Sequence, residues 1–161
     1  MTSLSEALHN SQVMVAVKKM IESNETLQKE LEQLHKEQID AMVEKIMKAR
    51  NPEDKYFVVA RQVPYASNMI KDLAYTLRSK VSDIIMVLGS VNDYKPMLAV
   101  MLGDDIVARG VDAGTVVREA AKVMNGGGGG QKFFATAGGK NPDALQAAID
   151  KAVEIIVSQL D

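Results

Sequence analysis

This 161-residue chain has no cysteine, no tryptophan and only two histidines. The missing cysteine removes disulfide frameworks, thiolate nucleophiles and cysteine-ligated zinc in one step, and fits a reducing compartment. His9 and His35 stand far apart without clustered partners, which argues against a histidine metal site. Aromatics are 4% of residues, so the core must be built from Val, Ile, Leu, Ala and the ten Met. No apolar run approaches the roughly 18–20 residues needed to span a bilayer. The opening Met1-Thr2-Ser3-Leu4-Ser5-Glu6 lacks the basic and apolar regions of a secretory signal. The expectation is a soluble, cytoplasmic chain with no membrane partner. Strong charge is missing too: nineteen basic against twenty-one acidic residues leave −2, which excludes a strongly basic nucleic-acid glue. What is present, 47% apolar and 25% charged residues, is the balance of a globular domain.

Two regions differ in kind, and the expected division is a helical arm over 1–51 and a globular domain over 52–161. From Val13 to Arg50 there is no Gly and no Pro. Apolar residues fall at Val13, Val17, Met20, Leu27, Leu31 and Leu34, with Asn24 in the missing step. That alternation of fours and threes is a coiled-coil seam, and a seam Asn fixes register. After Leu34 the stripe slips by about one residue to Ile39, Met42, Val43 and Ile46. Such a slip marks where a helix changes winding or leaves one partner for another. Lys45, Lys48 and Arg50, then Asn51-Pro52, signal the stop. A helix of that length reaches roughly 57 Å at 1.5 Å per residue, so it is expected to project and to pair as a homodimer.

From residue 53 the period changes. Tyr56–Ala60, Ile84–Leu88 (closed by Gly89) and Met97–Leu102 read as short buried strands, the last two forming a hairpin around Asn92-Asp93. Ser67 is expected to cap a helix with Ile70, Leu73, Ala74 and Leu77 inward. Asp104-Asp105 opens a short piece ending at Gly110, and Asp112 caps a helix facing inward with Val116, Val117, Ala120 and Ala121. Asn141-Pro142 opens the last helix, as N-cap and first-turn Pro. The predicted fold is α/β (α+β): a small mixed sheet flanked by helices, with a Gly-rich loop over 126–139, behind a coiled-coil-like arm.

Seven of the eleven Gly lie between Gly126 and Gly139, five of them consecutive. Such a run is costly to order. It is either a slack linker or a backbone laid bare so that its N–H groups face an anion. Its position between two amphipathic helices, with Phe133 and Phe134 following directly, favours the second. A Walker loop needs Gly-Lys-Ser/Thr, but Gln131 follows Gly130; a dinucleotide fingerprint needs a preceding strand, but a helix ending at Met124 precedes. No catalytic triad or zinc hydrolase site is available, because the globular part has no His and the chain no Cys; Asp112 has a capping job, and paired Asp before a helix, as at Asp104-Asp105, are more often caps than a metal site. The chain reads as a binder. Arg61, Lys71, Arg78 and Lys80 face one acid, Asp72, within 61–80. Arg109, Arg118, Lys122, Lys132 and Lys140 outnumber the acids of 105–140. A locally positive face on a near-neutral domain suits a shape-reading RNA binder that contacts a few phosphates.

The tract Gly126–Gly130 followed by Gln131-Lys132-Phe133-Phe134-Ala135-Thr136-Ala137-Gly138-Gly139 resembles the Gly-rich signature of the C-terminal domain of alanyl-tRNA synthetases. Asp112-Ala113-Gly114 opening a helix, with Arg118 and Lys122 after it, is similar as well, and the likeness covers 53–161. Lys132 stands where Pro is usual and Thr136 where Gln is common. The resemblance implies a tRNA-binding and oligomerising domain that helps position tRNA(Ala) at its outer corner. Aminoacylation with ATP and Mg²⁺, and zinc-dependent editing, would lie in other domains, so no catalytic residue, metal or cofactor is expected here. The contacts expected for RNA are Gly126, Gly127, Gly128, Gly129, Gly130, Lys132 and Lys140, then Arg118, Lys122, Arg61 and Lys71. The same domain type accompanies the DHH phosphoesterases, which makes a substrate-binding cap the alternative. No Asp-His-His motif and no His in the Gly motif supports it.

Overall fold

The computed structural model describes residues 2–161, which divide into two compact units, one up to Ala41 and the other Met42–Asp161. Helix α1, Thr2–Lys48, runs from the first into the second. It begins eleven residues earlier than the Gly- and Pro-free run predicts, because Thr2 to Gln12 contains no helix breaker either. Within the first unit the stripe Val13, Val17, Met20, Leu27, Leu31 and Leu34 is open, 46–70% exposed, and Asn24 is exposed too. After the slip, Ile39, Val43 and Ile46 are buried, and Val43 and Ile46 belong to the second unit.

The second unit is a five-stranded mixed sheet in the order β1-β2-β3-β5-β4, built from β1 (Phe57–Gln62), β2 (Ile84–Asn92), β3 (Lys95–Leu102), β4 (Gly127–Gly130) and β5 (Phe134–Gly138). Only β1 and β2 are parallel, joined by α2 (Ser67–Lys80). The β2–β3 hairpin turns on Asp93 and Tyr94, both left-handed (φ 50° and 62°), the conformation a two-residue connection needs to match strand twist. The turn therefore sits one residue later than Asn92-Asp93. Strand β2 also continues past Gly89. A Cβ there would lie 2.7 Å from Ile149 Cδ1 of α5 (Leu145–Leu160), so this glycine lets the helix seat on the strand and does not end it.

Side chains alternate between the two faces. Ile85, Val87, Leu98, Val100, Ala135 and Ala137 meet α5 and α4 (Ala113–Ala121) in one core. On the opposite face Ile84, Met86, Leu88 and Met101 are fully buried, as are Ile70, Leu73 and Leu77 of α2. The result is an α/β/α sandwich. A short helix α3, Asp104–Ala108, follows β3 and closes at Gly110, whose φ of 93° a side chain would resist. Asp112 caps α4 as expected: Gly114 and Thr115 N–H donate to its Oδ1 at 2.8 and 3.3 Å. Asn141 likewise caps the 3₁₀ turn Pro142–Ala144 that leads into α5. Ser67 does not cap α2. Ala66 holds the N-cap position, and Ser67 is already the first helical residue, so its hydroxyl is one step too far along to reach the first free N–H groups.

Candidate nucleic-acid interface

The segment expected to be a Gly-rich loop is a hairpin. Gly127–Gly130 pairs with Phe134–Gly138, and β4 forms one edge of the sheet. Gln131 N–H donates to Phe134 O at 2.8 Å, so only Lys132 and Phe133 form the tip. The tip is fixed from two sides: Ala113 N–H donates to Lys132 O (2.9 Å), and Leu102 N–H to Phe133 O (2.8 Å). Backbone pairing with β5 offsets the entropic cost of ordering five consecutive glycines.

The glycines divide by parity. A Cβ on Gly126 would stand 1.9 Å from Gly138 O, on Gly128 2.2 Å from Thr136 O, and on Gly130 2.6 Å from Phe134 O. These three press edge-on against the backbone of the partner strand, leaving no volume for a side chain. Gly127 and Gly138 have nothing within 4 Å, and Gly129 has only the Arg118 guanidinium, at 3.6–3.7 Å. Packing therefore accounts for Gly126, Gly128 and Gly130, whereas no neighbour requires glycine at Gly127, which is exposed, or at half-buried Gly129. The antiparallel phase set by Gln131 and Phe134 turns the N–H and C=O of Gly128 and Gly130 away from β5. Gly126 N–H is taken by Ala121 O at 2.9 Å.

A cleft of about 620 Å³ lies between this hairpin and α2. Ser67, Lys71 and Tyr75, spaced four apart and so on one helical face, line one side. Gly129, Gly130 and Gln131 line the other, with Met97, Phe134 and Thr136 also contributing. Tyr75 packs against both Phe133 (ring centroids 6.1 Å apart, near edge-on) and Phe134 (5.6 Å). The Arg78 guanidinium sits 4.1 Å from the Phe133 centroid and pairs with Asp104.

Of the expected contact residues, Gly129, Gly130 and Lys71 line this cleft, and Arg118 on α4 lies beside Gly129 without lining it. Lys132 is exposed at the hairpin tip and Lys140 just beyond the far end of β5. Lys122 is exposed and paired with Glu119 at 2.8 Å. Arg61 stands apart from the group on β1, the opposite edge, four strand spacings or roughly 19 Å from β4. Arg61, Lys71, Arg118, Lys132 and Lys140 have no ion-pair partner among the described residues. Sequence reasoning overlooked Tyr75, Asn68 and Thr136. For Tyr75 a signal existed, its four-residue step from Lys71 on the face opposite Ile70 and Leu73. Among the described residues, no group of three or more His, Cys, Asp or Glu could hold a metal ion, and no helix is long and apolar enough to cross a membrane.

Residues 53–158 match the DHHA1 domain family. The chain belongs to that family. This DHHA1 domain is similar to an alanine–tRNA ligase of Bacteroides fragilis, 42% identical over 142 residues that cover 88% of this chain and 16% of that protein. The alanine–tRNA ligase of Bacteroides thetaiotaomicron is 42% identical over the same length and shares. The DHHA1 chain thus spans about 16% of the length of the curated relatives it matches. Among solved structures it is similar to the C-Ala domain of Aquifex aeolicus alanyl-tRNA synthetase, with a TM-score of 0.58 and 27% identity, covering 63% of this chain and 92% of that one. RecJ of Thermus thermophilus, crystallised with Mn²⁺, shares the fold alone at 18% identity and a TM-score of 0.50, over 79% of this chain and 17% of that one.

Proposed function

We propose that this DHHA1 domain is the C-Ala type domain of an alanine–tRNA ligase, and that it binds tRNA(Ala) and helps hold it for aminoacylation and editing. The observation that carries the reading is the hairpin itself. It presents bare backbone at a sheet edge where Gly127, Gly128 and Gly130 are exposed and the N–H and C=O of Gly128 and Gly130 turn away from β5, and Lys71, Arg118 and Lys132 have no ion-pair partner among the described residues. Bare backbone lets a sugar–phosphate chain approach closely, and unpaired cations supply the counterion-release term of RNA affinity. The identity of the curated relatives favours this reading over a phosphoesterase cap, for which only a fold likeness speaks. In this reading the domain carries no catalytic group. ATP, Mg²⁺ and zinc serve chemistry located in other domains, and the site of action is the cytoplasm. The exposed stripe of α1 is proposed to pair with that of a second copy, giving a homodimer.

Filter binding of tRNA(Ala) to the full chain tests the proposal. With Lys132→Glu and Lys140→Glu together, affinity falls and the slope of log K against log salt becomes shallower by roughly 1.5–2, the value for two lost phosphate contacts. Unchanged affinity and slope would reject both residues as contacts, and no measurable tRNA binding by the unsubstituted chain would reject the function.

A further inference from the structure

We infer that the open β1 edge of the sheet takes up an extended acidic peptide segment as an added strand, its main chain on Val58, Ala60 and Gln62 and its carboxylates against Lys45 and Arg61. This edge is the one opposite the Gly-rich hairpin, and the inference stands whether or not the domain binds RNA.

Backbone is the first reason. Phe57 N–H donates to Asp83 O (3.2 Å) and Val63 N–H to Gly89 O (2.8 Å). In a parallel ladder that phase alternates, so Phe57, Val59, Arg61 and Val63 bond to β2, while Val58, Ala60 and Gln62 turn their N–H and C=O outward. No other backbone group among the described residues takes these up. Val58 is 41% exposed, and Ala60 and Gln62 are exposed as well. The strand contains no Pro, and its register with β2 is unbroken from Phe57 to Gln62. An edge without such blocks is a template for an incoming strand. Shape is the second reason. A groove runs along β1 beside the last turns of α1, entirely within the second unit. One part, about 270 Å³, has Ile46, Ala49, Phe57 and Val59 in its walls. The other, about 220 Å³, continues past Val63 and Pro64, and both parts share Lys45, Ile46 and Arg61. Charge is the third. Lys45 and Arg61 have no ion-pair partner among the described residues, and no Asp or Glu lines either part. These cations choose the occupant. A second copy would bring the same two charges to the same edge, whereas a strand with carboxylates at alternate positions satisfies both. Its intervening side chains fall on the other face, over Val58 and Ala60, where β-branched residues suit the pleat.

The test is an amide shift and hydrogen-exchange titration of the ¹⁵N-labelled full chain with the blocked heptapeptide Thr-Glu-Val-Glu-Val-Glu-Thr. Two control peptides accompany it. One has Lys in place of every Glu; the other is N-methylated at every Glu and Val, which removes the donors and keeps the charge. The acidic peptide is expected to shift and protect the amides of Val58, Ala60 and Gln62, while Phe57 and Val59, already bonded to β2, change least. It should bind at least about tenfold more tightly than either control. Arg61→Glu and Lys45→Glu should each lower its affinity at least about fivefold. Ala60→Pro removes a donor that the β1–β2 ladder does not use, and should abolish protection at Val58 and Gln62. If Pro loosens β1 itself, Arg61→Glu still decides, because Arg61 is exposed and its charge is unpaired. Unmoved edge amides at millimolar acidic peptide overturn the inference. Equal binding of either control peptide, or undiminished affinity in Arg61→Glu, overturns it too, since each removes one half of the proposed contact. Protection of Val58, Ala60 and Gln62 that grows with protein concentration alone would give the edge to a second copy, and displacement of the peptide by tRNA(Ala) would give it to RNA. Either result also sinks the peptide site.

Discussion

Gly126 and Gly138 meet so closely that a methyl group on the first would come within 1.9 Å of the carbonyl oxygen of the second. Gly127, one residue along and paired across the ladder with the same Gly138, has no neighbour at all in that direction. Two glycines of one tract are thus held for different reasons. Gly126→Ala or Gly128→Ala must push two backbones apart, at a cost of about 3 kcal/mol or more. Gly127→Ala changes stability by no more than about 1 kcal/mol, and the lost freedom of the unfolded chain biases it toward stabilisation. Urea denaturation of the three variants measures the contrast. Equal losses at all three positions would mean that the strand does not lie edge-on against β5.

Gly127→Ala also separates packing from binding. If bare backbone at this position approaches RNA, the added methyl lowers tRNA affinity in a protein whose denaturation midpoint is unchanged or raised. A stable variant with unaltered tRNA affinity would remove Gly127 from the interface, leaving the contact to Gly129 and its neighbours.

Arg118 and Lys122 lie one turn apart on α4 and its 3₁₀ extension, yet they are not equivalent. Lys122 shares its charge with Glu119 at 2.8 Å, whereas Arg118 leans over Gly129 without an acidic partner. Arg118→Ala should weaken tRNA binding roughly three- to tenfold near physiological salt and flatten the salt slope by about one. Lys122→Ala should do distinctly less, because the departing charge is already half-compensated. The reverse ranking in filter binding would contradict the placement of Arg118 at the interface.

Asp112 joins the helix that backs the hairpin to the hairpin itself. Its carboxylate accepts from Gly114 and Thr115, and the next residue, Ala113, donates to Lys132 O at the tip. Asp112→Ala should cost about 1 kcal/mol as a lost N-cap. Hydrogen exchange should quicken at Ala113, Gly114 and Thr115 more than in α5. Uniform quickening across both helices would show the cap to have no local role.

Much of this arrangement was readable from residue patterns. Ile70, Leu73 and Leu77, and likewise Val116, Val117 and Ala120, mark their helices by spacing alone, and each set is buried. Asp112 and Asn141 act as caps because a short acceptor before an apolar period has few other uses. The Gly tract was legible as a place where something approaches closely, but not as a strand. Strand propensity is a side-chain property, and Gly127–Gly130 pairs through backbone alone, with its partner's Ala135 and Ala137 supplying the small residues that permit it. The cleft was hidden for another reason. Tyr75 and Thr136 are 61 positions apart, and only the β3–β5 pairing brings them to one face of the sheet.

Helix α1 supplies the sharpest contrast between identical chemistries in different places. Leu27 and Leu31 are 54% and 66% exposed, while Ile46 is 4% exposed in the second unit. Burying an aliphatic side chain is worth about 1.5–3 kcal/mol, and removing one from a packed site costs about 2–5 kcal/mol. Ile46→Ala should therefore lower the unfolding free energy of the globular unit by at least about 2 kcal/mol. Leu27→Glu with Leu31→Glu should leave that transition unchanged, since neither side chain has a core to leave. If the exposed stripe is a seam between two copies, the same pair of charges introduces like-charge repulsion along it and dissolves the association. Sedimentation velocity of the full chain across a hundredfold concentration range reads the outcome. A concentration-dependent dimer that becomes a monomer in the double variant is expected. A chain that is monomeric throughout, or a dimer indifferent to both glutamates, would take the seam away from Leu27 and Leu31 and leave tRNA binding to be carried by a single copy.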